Sequence, residues 1–468
     1  MSISSPLFIL CLICAFTLYL IVPKKARGIL LLFFSCAFIA YASIKALPIM
    51  LLYTLAAYVF GFAVDFAKSR KAKKALTALF CVLAVAFLGL YKYLGFIFDL
   101  FRIKSAFSLA APIGISYVTF QAIAYVVDIC RGKQKAEGDI VALSLYLLYF
   151  AKILAGPIEA PGDFLGKLEN ASPDKRSFAK GWALIVSGFL KKVIAADLLA
   201  PSVAAFFDAD AKMSGTAAII ASILFSVQIF ADFSGYTDIA RGASLLFGID
   251  LCENFDCPYA AISIRDFWRR WHITLSTWLK NYIYIPLGGN RKGKARKYLN
   301  TFITFTVSGL WHGADLSFVL WGALHGIAQI IEDISSPITK KLEEKDKHGL
   351  LRVPRIIFTF VIVTVLWIFF RANSLSDLSR IFGSFGEKYV SVPNAFGSLS
   401  LTLVTLALAA GALVLSYITR RAIRRYADGK LSGILLFILC IVGAFAVAAV
   451  MISVAGTVEA SSFIYTNF

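Results

Sequence analysis

Long apolar runs recur along this chain, and they constrain its fold more than any other feature. Residues 6–22, 28–43, 47–64 and 75–92 are four such runs, separated only by short polar breaks. About 20 apolar residues on a helix rising about 1.5 Å per residue cross about 30 Å of hydrocarbon. Backbone polar groups find no water there, so runs of this kind admit helices and little else. Further runs lie at 113–129, 177–200, 215–231, 298–311, 315–331, 356–371, 398–419 and 432–454. With the broken segments included, the chain is predicted to be an all-α polytopic membrane protein of about 11–13 transmembrane, re-entrant and interfacial helices. No soluble domain, short-period repeat or low-complexity linker interrupts it, so 1–468 is expected to form one membrane domain.

Composition agrees. The chain is 59% hydrophobic and 16% charged, with a mean hydropathy of +0.77, whereas soluble chains carry roughly 25% charged residues. The net charge of +19 would suggest nucleic acid in a soluble protein. Here the basic residues sit in short loops between apolar runs, where anionic membrane lipids attract them, and no nucleic-acid partner is inferred. Lys24, Lys25 and Arg27, then KSRKAKK at 68–74, then Arg131, Lys133 and Lys135, and finally Arg420, Arg421, Arg424 and Arg425 mark cytoplasmic loops. The spacing of these loops puts the N-terminus outside. The first run lacks the basic start and small-residue cleavage site of a signal peptide, so it reads as a helix. Cys11, Cys14, Cys36, Cys81 and Cys440 lie in apolar runs, and Cys252 and Cys257 have no matching pair. All eight cysteines are expected to be free thiols, with no metal site.

Three stretches are irregular. The segment 93–107 is amphipathic and suits the outer interface. The apolar segment 144–164 is broken by Gly156, Pro157, Pro161 and Gly162, so it is either re-entrant or a plain span ending in a turn. Asp232, Asp238 and Arg241 follow the 215–231 run among apolar neighbours. Asp238 and Arg241 stand at i, i+3, so they can meet on one helix face. They either brace a polar cavity or end a helix near the interface.

Three of the four histidines, His272, His312 and His325, fall between Arg265 and Gly326. In a chain this apolar, an imidazole is a functional candidate by default, and histidine exchanges protons near neutral pH. The fourth, His348, lies in a polar loop at 335–355 and is expected to be exposed. A single helix over 264–279 would put Trp268, Trp271, Leu275, Trp278 and Leu279 on one side and Arg265, Arg269, His272 and Ser276 on another. The cationic side suits an anionic ligand such as a pyrophosphate or lipid phosphate. The following IPLGGNRKGKARK, 285–297, contains Asn290 in a Gly-Gly-Asn turn. It is either a phosphate contact or a positive-inside loop. The helix at 298–311 ends by presenting Trp311 and His312, flanked by Gly309 and Gly313, with Ser308 as a hydrogen-bond candidate. The next helix carries Trp321 and His325.

DFWRRWHITLSTWL (266–279), YIPLGGNRKG (284–293), SGLWHG (308–313) and WGALHG (321–326), in this order, resemble the membrane-bound O-acyltransferase (MBOAT) family, and within it the alginate O-acetyltransferase-like branch. Segments 111–133, 151–164 and 365–377 resemble its other landmarks, giving a core of about 111–372. The resemblance implies an MBOAT fold around a central polar tunnel in a cell membrane. It makes His312 the principal catalytic residue and His272 a second one that orients the acyl group or binds the acceptor. Arg265, Arg269, Ser276, Trp311, Asn290, Asp238, Arg241 and His325 are the substrate-binding candidates. Acyl transfer from a thioester to a hydroxyl needs a base and donors for an oxyanion. No GxSxG elbow is present, so the histidines carry the proton chemistry. The branch implies acetyl-CoA or a similar thioester as donor substrate, no bound cofactor, and a polysaccharide acceptor reached directly or through a secreted partner. Two other readings remain: D-alanyl transfer toward teichoic acid from a carrier protein, and a non-enzymatic transporter of an anionic solute.

Overall fold

The computed structural model describes residues 5–95, 111–346, 349–391 and 399–453, together with positions 3 and 98. His348 and most of the amphipathic 93–107 segment lie outside the described residues. The described residues are helical almost throughout. α1 (Pro6–Ile21) starts where Ser5 Oγ accepts from Phe8 N at 3.2 Å, with Pro6 at its first position, and it stops before Pro23. α2 (Lys24–Ala42) and α3 (Ala46–Phe66) follow, and Ser69 caps α4 (Arg70–Lys92). α5 (Ile115–Cys130) returns. α6 (Ile140–Leu148) and α7 (Pro161–Glu169) flank the broken apolar segment. α8 (Lys175–Phe189), capped by Asp174, runs through a π-helical stretch at Leu190–Asp197 into α9 (Leu198–Phe207).

α10 (Gly215–Leu246) is longer than the 215–231 helix the sequence suggests. It continues through Asp232, Asp238 and Arg241 because their charges are paired by neighbouring segments, Lys191 and Lys192 of the π-helical stretch and Glu253 of a loop. Then come α11 (Ile264–Arg270), α12 (Ile273–Leu279), α13 (Gly293–His312) and α14 (Leu316–Lys345). α14 extends through 335–345, where a polar loop is expected from the sequence. α15 (Arg352–Arg371), α16 (Leu375–Ser384), α17 (Leu399–Ala427) and α18 (Gly433–Ser453) complete the chain.

Among the described residues, seven helices are long and apolar enough to cross a membrane: α2, α3, α4, α10, α15, and the stretches 404–427 of α17 and 433–451 of α18. α10 is the central one: 67% of its most apolar stretch is buried, against 17% in α18. Outward-facing leucines, isoleucines and phenylalanines on the peripheral helices, such as Leu52, Phe358 and Phe445, are the surface lipid covers.

Loop contacts sort the molecule into two ends. Lys73 Nζ donates to Asp65 O, Asp65 accepts from Ala136 N, and Arg131 donates to Asn281 O. Arg424 pairs with Asp256, and Lys297 with Asp333. The basic loops therefore share one end. At the other, Lys92 and Tyr93 meet the C-terminus of α13, and Arg371 pairs with Asp208. The 140–169 segment begins at the basic end, beside Asp65 and Ala136. It returns there, where Lys167 Nζ meets Glu159 and Cys252. It is the re-entrant alternative of the two the sequence leaves open. Its non-helical stretch is buried in protein, as backbone at that depth must be.

Candidate active site

α13 and α14 cross at two glycines. A Cβ on Gly309 would lie 2.2 Å from Phe318 O, and one on Gly322 would lie 2.2 Å from Phe305 O. Only hydrogen fits at either position. The crossing lays His312, the last residue of α13, against Trp321 of α14 with ring centroids 5.1 Å apart. Phe370 of α15 closes another side at 5.2 Å, and Trp311 lies at 4.9 Å. His312 is buried. Lys92, at the end of α4, donates to the carbonyl oxygens of Trp311 and, at 3.0 Å, of His312. A cation on the last carbonyls of a helix satisfies groups with no intrahelical partner and complements the dipole. Sequence reasoning missed Lys92. It stands 220 residues from its partner, and its only local signal is a lysine closing an apolar helix.

His272 corrects the single-helix expectation. The chain breaks there with φ of 43°, in the left-handed region, separating α11 from α12. The break is held by the segment before α11. Phe255 bridges Trp271, Asp256 N donates to Arg270 O at 3.0 Å, and Ile273 N donates to Asn254 O at 3.0 Å. Asn254 Oδ1 accepts from Thr274 Oγ1 at 2.6 Å, and Thr274 Oγ1 accepts from Ile158 N at 3.0 Å. Asn254 and Thr274 went unnoticed in the sequence because nothing local marks them. The result turns His272 inward. Its ring is fully buried, edge-on to Phe233 at 4.7 Å and 6.5 Å from Trp311. Neither ring nitrogen has a hydrogen-bond partner among the described residues. Buried polar side chains normally have a hydrogen-bond partner, so both nitrogens are available to a group that enters this cluster.

His325 is tied in differently. Trp268 Nε1 donates to its Nδ1 at 3.2 Å, and its ring lies 5.0 Å from Trp321. Trp311 stacks on Phe120 at 5.0 Å, and Phe120 stacks on Trp278 at 3.7 Å, so α5 forms another wall. The tryptophans of 264–279 thus pack in protein, Trp268, Trp271 and Trp278 all being buried.

Four of the predicted substrate-binding residues come together elsewhere in this neighbourhood. Arg265, Arg269, Ser276 and Asn290 line one cavity of 390 Å³ at the basic end. Trp268 also lines it, so the tryptophan bonded to His325 forms part of the cavity wall. Positive φ at Gly288 and Gly289 makes the turn that carries Asn290, and Asn300 Nδ2 holds that turn by donating to Gly289 O at 2.8 Å. Arg265 is committed to Asp333 at 2.7 Å, and Lys297 holds the other oxygen of that carboxylate at 2.6 Å. Arg269 is exposed and has no acidic partner among the described residues.

Asp238 and Arg241, which could meet at i, i+3, take other partners. Asp238 binds Lys191 at 2.6 Å and approaches Arg420 at 3.8 Å. Arg241 binds Glu253 at 3.1 Å and donates to Leu251 O at 2.9 Å. Each carries its charge to another segment, since burying either unpaired would be costly. They join α10 to the π-helical stretch, the 250–253 loop and α17, outside the cluster of imidazoles.

The chain matches the family described as MBOAT, membrane-bound O-acyltransferase family, over residues 8–374. It belongs to that family. It is 35% identical to the probable alginate O-acetylase AlgI of Azotobacter vinelandii, covering 84% of this chain and 80% of the relative. It is 32% identical to the peptidoglycan O-acetyltransferase of Helicobacter pylori, covering 81% and 78%. The teichoic acid D-alanyltransferase of Bacillus subtilis is 27% identical over 54% of this chain and 67% of the relative. This MBOAT protein is a multi-pass membrane acyltransferase, and the comparisons support acyl transfer to a polysaccharide.

Proposed function

We propose that this acyltransferase takes an acetyl group from acetyl-CoA on the cytoplasmic side of the cell membrane. It passes the group to hydroxyls of a cell-surface or extracellular polysaccharide, directly or through a secreted partner. The observation carrying this reading is the adjacency of the cationic 390 Å³ cavity to the buried histidines. Aromatic rings link the two, Trp268 lying 5.8 Å from Trp321 and Trp321 5.1 Å from His312. Arg269 meets the donor's phosphate groups, with a guanidinium fork suited to them. The acyl end then extends along Trp268 and Trp321 toward His312.

At His312 the imidazole takes the proton of the acceptor hydroxyl as its oxygen attacks the thioester carbonyl carbon. A carbon–oxygen bond forms, and charge collects on the carbonyl oxygen. The carbon–sulfur bond then breaks, and the same imidazole returns its proton to the leaving thiolate. His272, whose nitrogens have no partner among the described residues, orients the acyl carbonyl or binds the acceptor. Lys92 fixes the helix end that carries His312.

Relatives named for O-acetylation match 84% and 81% of the chain, and the D-alanyltransferase matches 54%, which favours acetyl over D-alanyl. The test is His312→Gln. Glutamine keeps hydrogen bonding but exchanges no proton at neutral pH. A general base contributes about 10²–10⁴-fold, so acetate released by mild base from envelope glycans should fall to background at unchanged protein level. Normal acetate release from that variant would remove His312 as the base. Released D-alanine in place of acetate would reassign the acyl group.

A further inference from the structure

A second cavity, of 470 Å³, opens at the basic end between α10, α17 and the turn at Pro258–Ala260. It shares no residue with the cavity lined by Arg269. Its polar side is cationic: Lys191, Arg420, Arg421 and Arg424 line it against one carboxylate, Asp256. The deeper charges are fixed. Lys191 is buried and held by Asp238, and Arg420 donates to Phe255 O at 3.3 Å and approaches Glu253 at 3.8 Å. Arg424 leans on Asp256 at 3.3 Å and Glu253 at 3.6 Å while its side chain stays 62% exposed. Arg421 is exposed and has no acidic partner among the described residues.

The other side is apolar. Phe230, Leu413 and Tyr417 line it. Val414, Tyr417 and Ile418 continue that surface outward as exposed residues of α17, a helix apolar enough to cross the membrane. The cavity therefore has guanidinium groups at the polar end of a membrane helix and a hydrocarbon wall facing the bilayer. A soluble anion would use only the first. We propose that it binds one anionic glycerophospholipid from the leaflet at the basic end. The phosphate sits on Arg420, Arg421 and Arg424, and an acyl chain lies along Leu413 and Tyr417. A basic residue near the surface attracts anionic lipid by an amount that compounds with each one added.

The test uses the full chain purified in mild detergent and read by native mass spectrometry with dioleoyl phosphatidylglycerol or dioleoyl phosphatidylcholine. One phosphatidylglycerol should remain bound where phosphatidylcholine does not. Arg421→Ala combined with Arg424→Ala should weaken that binding about 30-fold. Arg425→Ala, one residue along and absent from the lining, removes charge without removing the site and should leave binding intact. Leu413→Trp fills the apolar side and keeps every arginine, so it should also displace the lipid. Equal retention of the two lipids would overturn the proposal, and so would a loss with Arg425→Ala as large as with the double variant. Displacement by millimolar glycerol phosphate would make this a free-phosphate site. Displacement by acetyl-CoA would make it a donor site. Either result refutes the assignment. None of these outcomes depends on acyl transfer, so the proposal fails or stands apart from the function above.

Discussion

Gly309→Ala should disable the enzyme without touching a reacting group. The new Cβ would sit 2.2 Å from Phe318 O, and real Cβ atoms essentially never come within 3.0 Å of such a neighbour. The obstacle is a backbone carbonyl, so no side-chain rotation relieves it. The crossing of α13 and α14 must open by about 0.8 Å, the difference between those distances. His312 lies three residues further along α13 and faces Trp321 on α14, so the gap passes directly into its position. Overpacking of this kind costs about 1–3 kcal/mol, which a polytopic protein can survive. A misplacement of about 1 Å at a reacting group costs about 10²-fold in rate. The expected result is normal protein in the membrane with glycan acetate reduced by about two orders of magnitude. Gly326→Ala is the comparison on the same helix crossing, because its Cβ would meet Phe302 Cα at 3.2 Å and Phe305 Cβ at 3.3 Å, which asks for a shift of only a few tenths of an ångström. Wild-type acetate from Gly309→Ala, measured against the membrane level of the protein, would refute the claim that this crossing sets the position of His312.

Other outcomes follow from named contacts. Arg269→Ala should raise the apparent KM for acetyl-CoA, and Arg269→Lys should recover only part, because a point charge cannot reproduce the fork; unchanged donor dependence would return Arg269 to a plain surface role. Asp333 lies beyond the apolar part of α14, where Lys297 and then Arg265 pull its carboxyl down to about 2. A depressed carboxylate stabilises fully above its unfolded value of about 3.9, and the contribution is lost as pH falls from there through the folded value. Thermal melting in detergent should therefore decline below about pH 4 more steeply than for Asp333→Asn, and parallel curves would dismiss the pair. Ser69 and Ser376 lie at opposite ends. In a background without native cysteines, Cys at position 376 should label with an impermeant reagent in intact cells and Cys at 69 should not; the reverse pattern would invert the orientation.

Much of this was legible because hydrophobic length and loop charge act locally. The runs at 28–43, 47–64 and 75–92 became helices within a few residues of their expected ends. Pro and Gly between 156 and 162 marked a real interruption. Arg265, Arg269, Ser276 and Asn290 share a cavity, as one cationic site would require. What failed depended on distant partners. Helical periodicity ran straight through His272, yet the backbone breaks there because the segment at 254–256 hydrogen-bonds to both sides of it. The i, i+3 spacing of Asp238 and Arg241 speaks only for partners within one helix. Lys191, at 2.6 Å, and Arg420, at 3.8 Å, come to Asp238 from other helices. α14 outran its apolar part because Asp333 draws on Lys297 and Arg265 there.

The left-handed backbone at His272 changes how substitutions at that residue must be interpreted. A non-glycine residue in that conformation costs about 1–2 kcal/mol, and asparagine tolerates it better than alanine. Replacing His272 by alanine therefore removes a ring and keeps the backbone cost, whereas glycine removes both and lets the hinge wander. A variant series ranked by proton chemistry would order asparagine, alanine and glycine alike, since none titrates near neutrality. A series ranked by hinge geometry would place asparagine first. The graded activity of those three proteins separates what the imidazole does from what the bend beneath it does, a distinction that alanine scanning alone would erase.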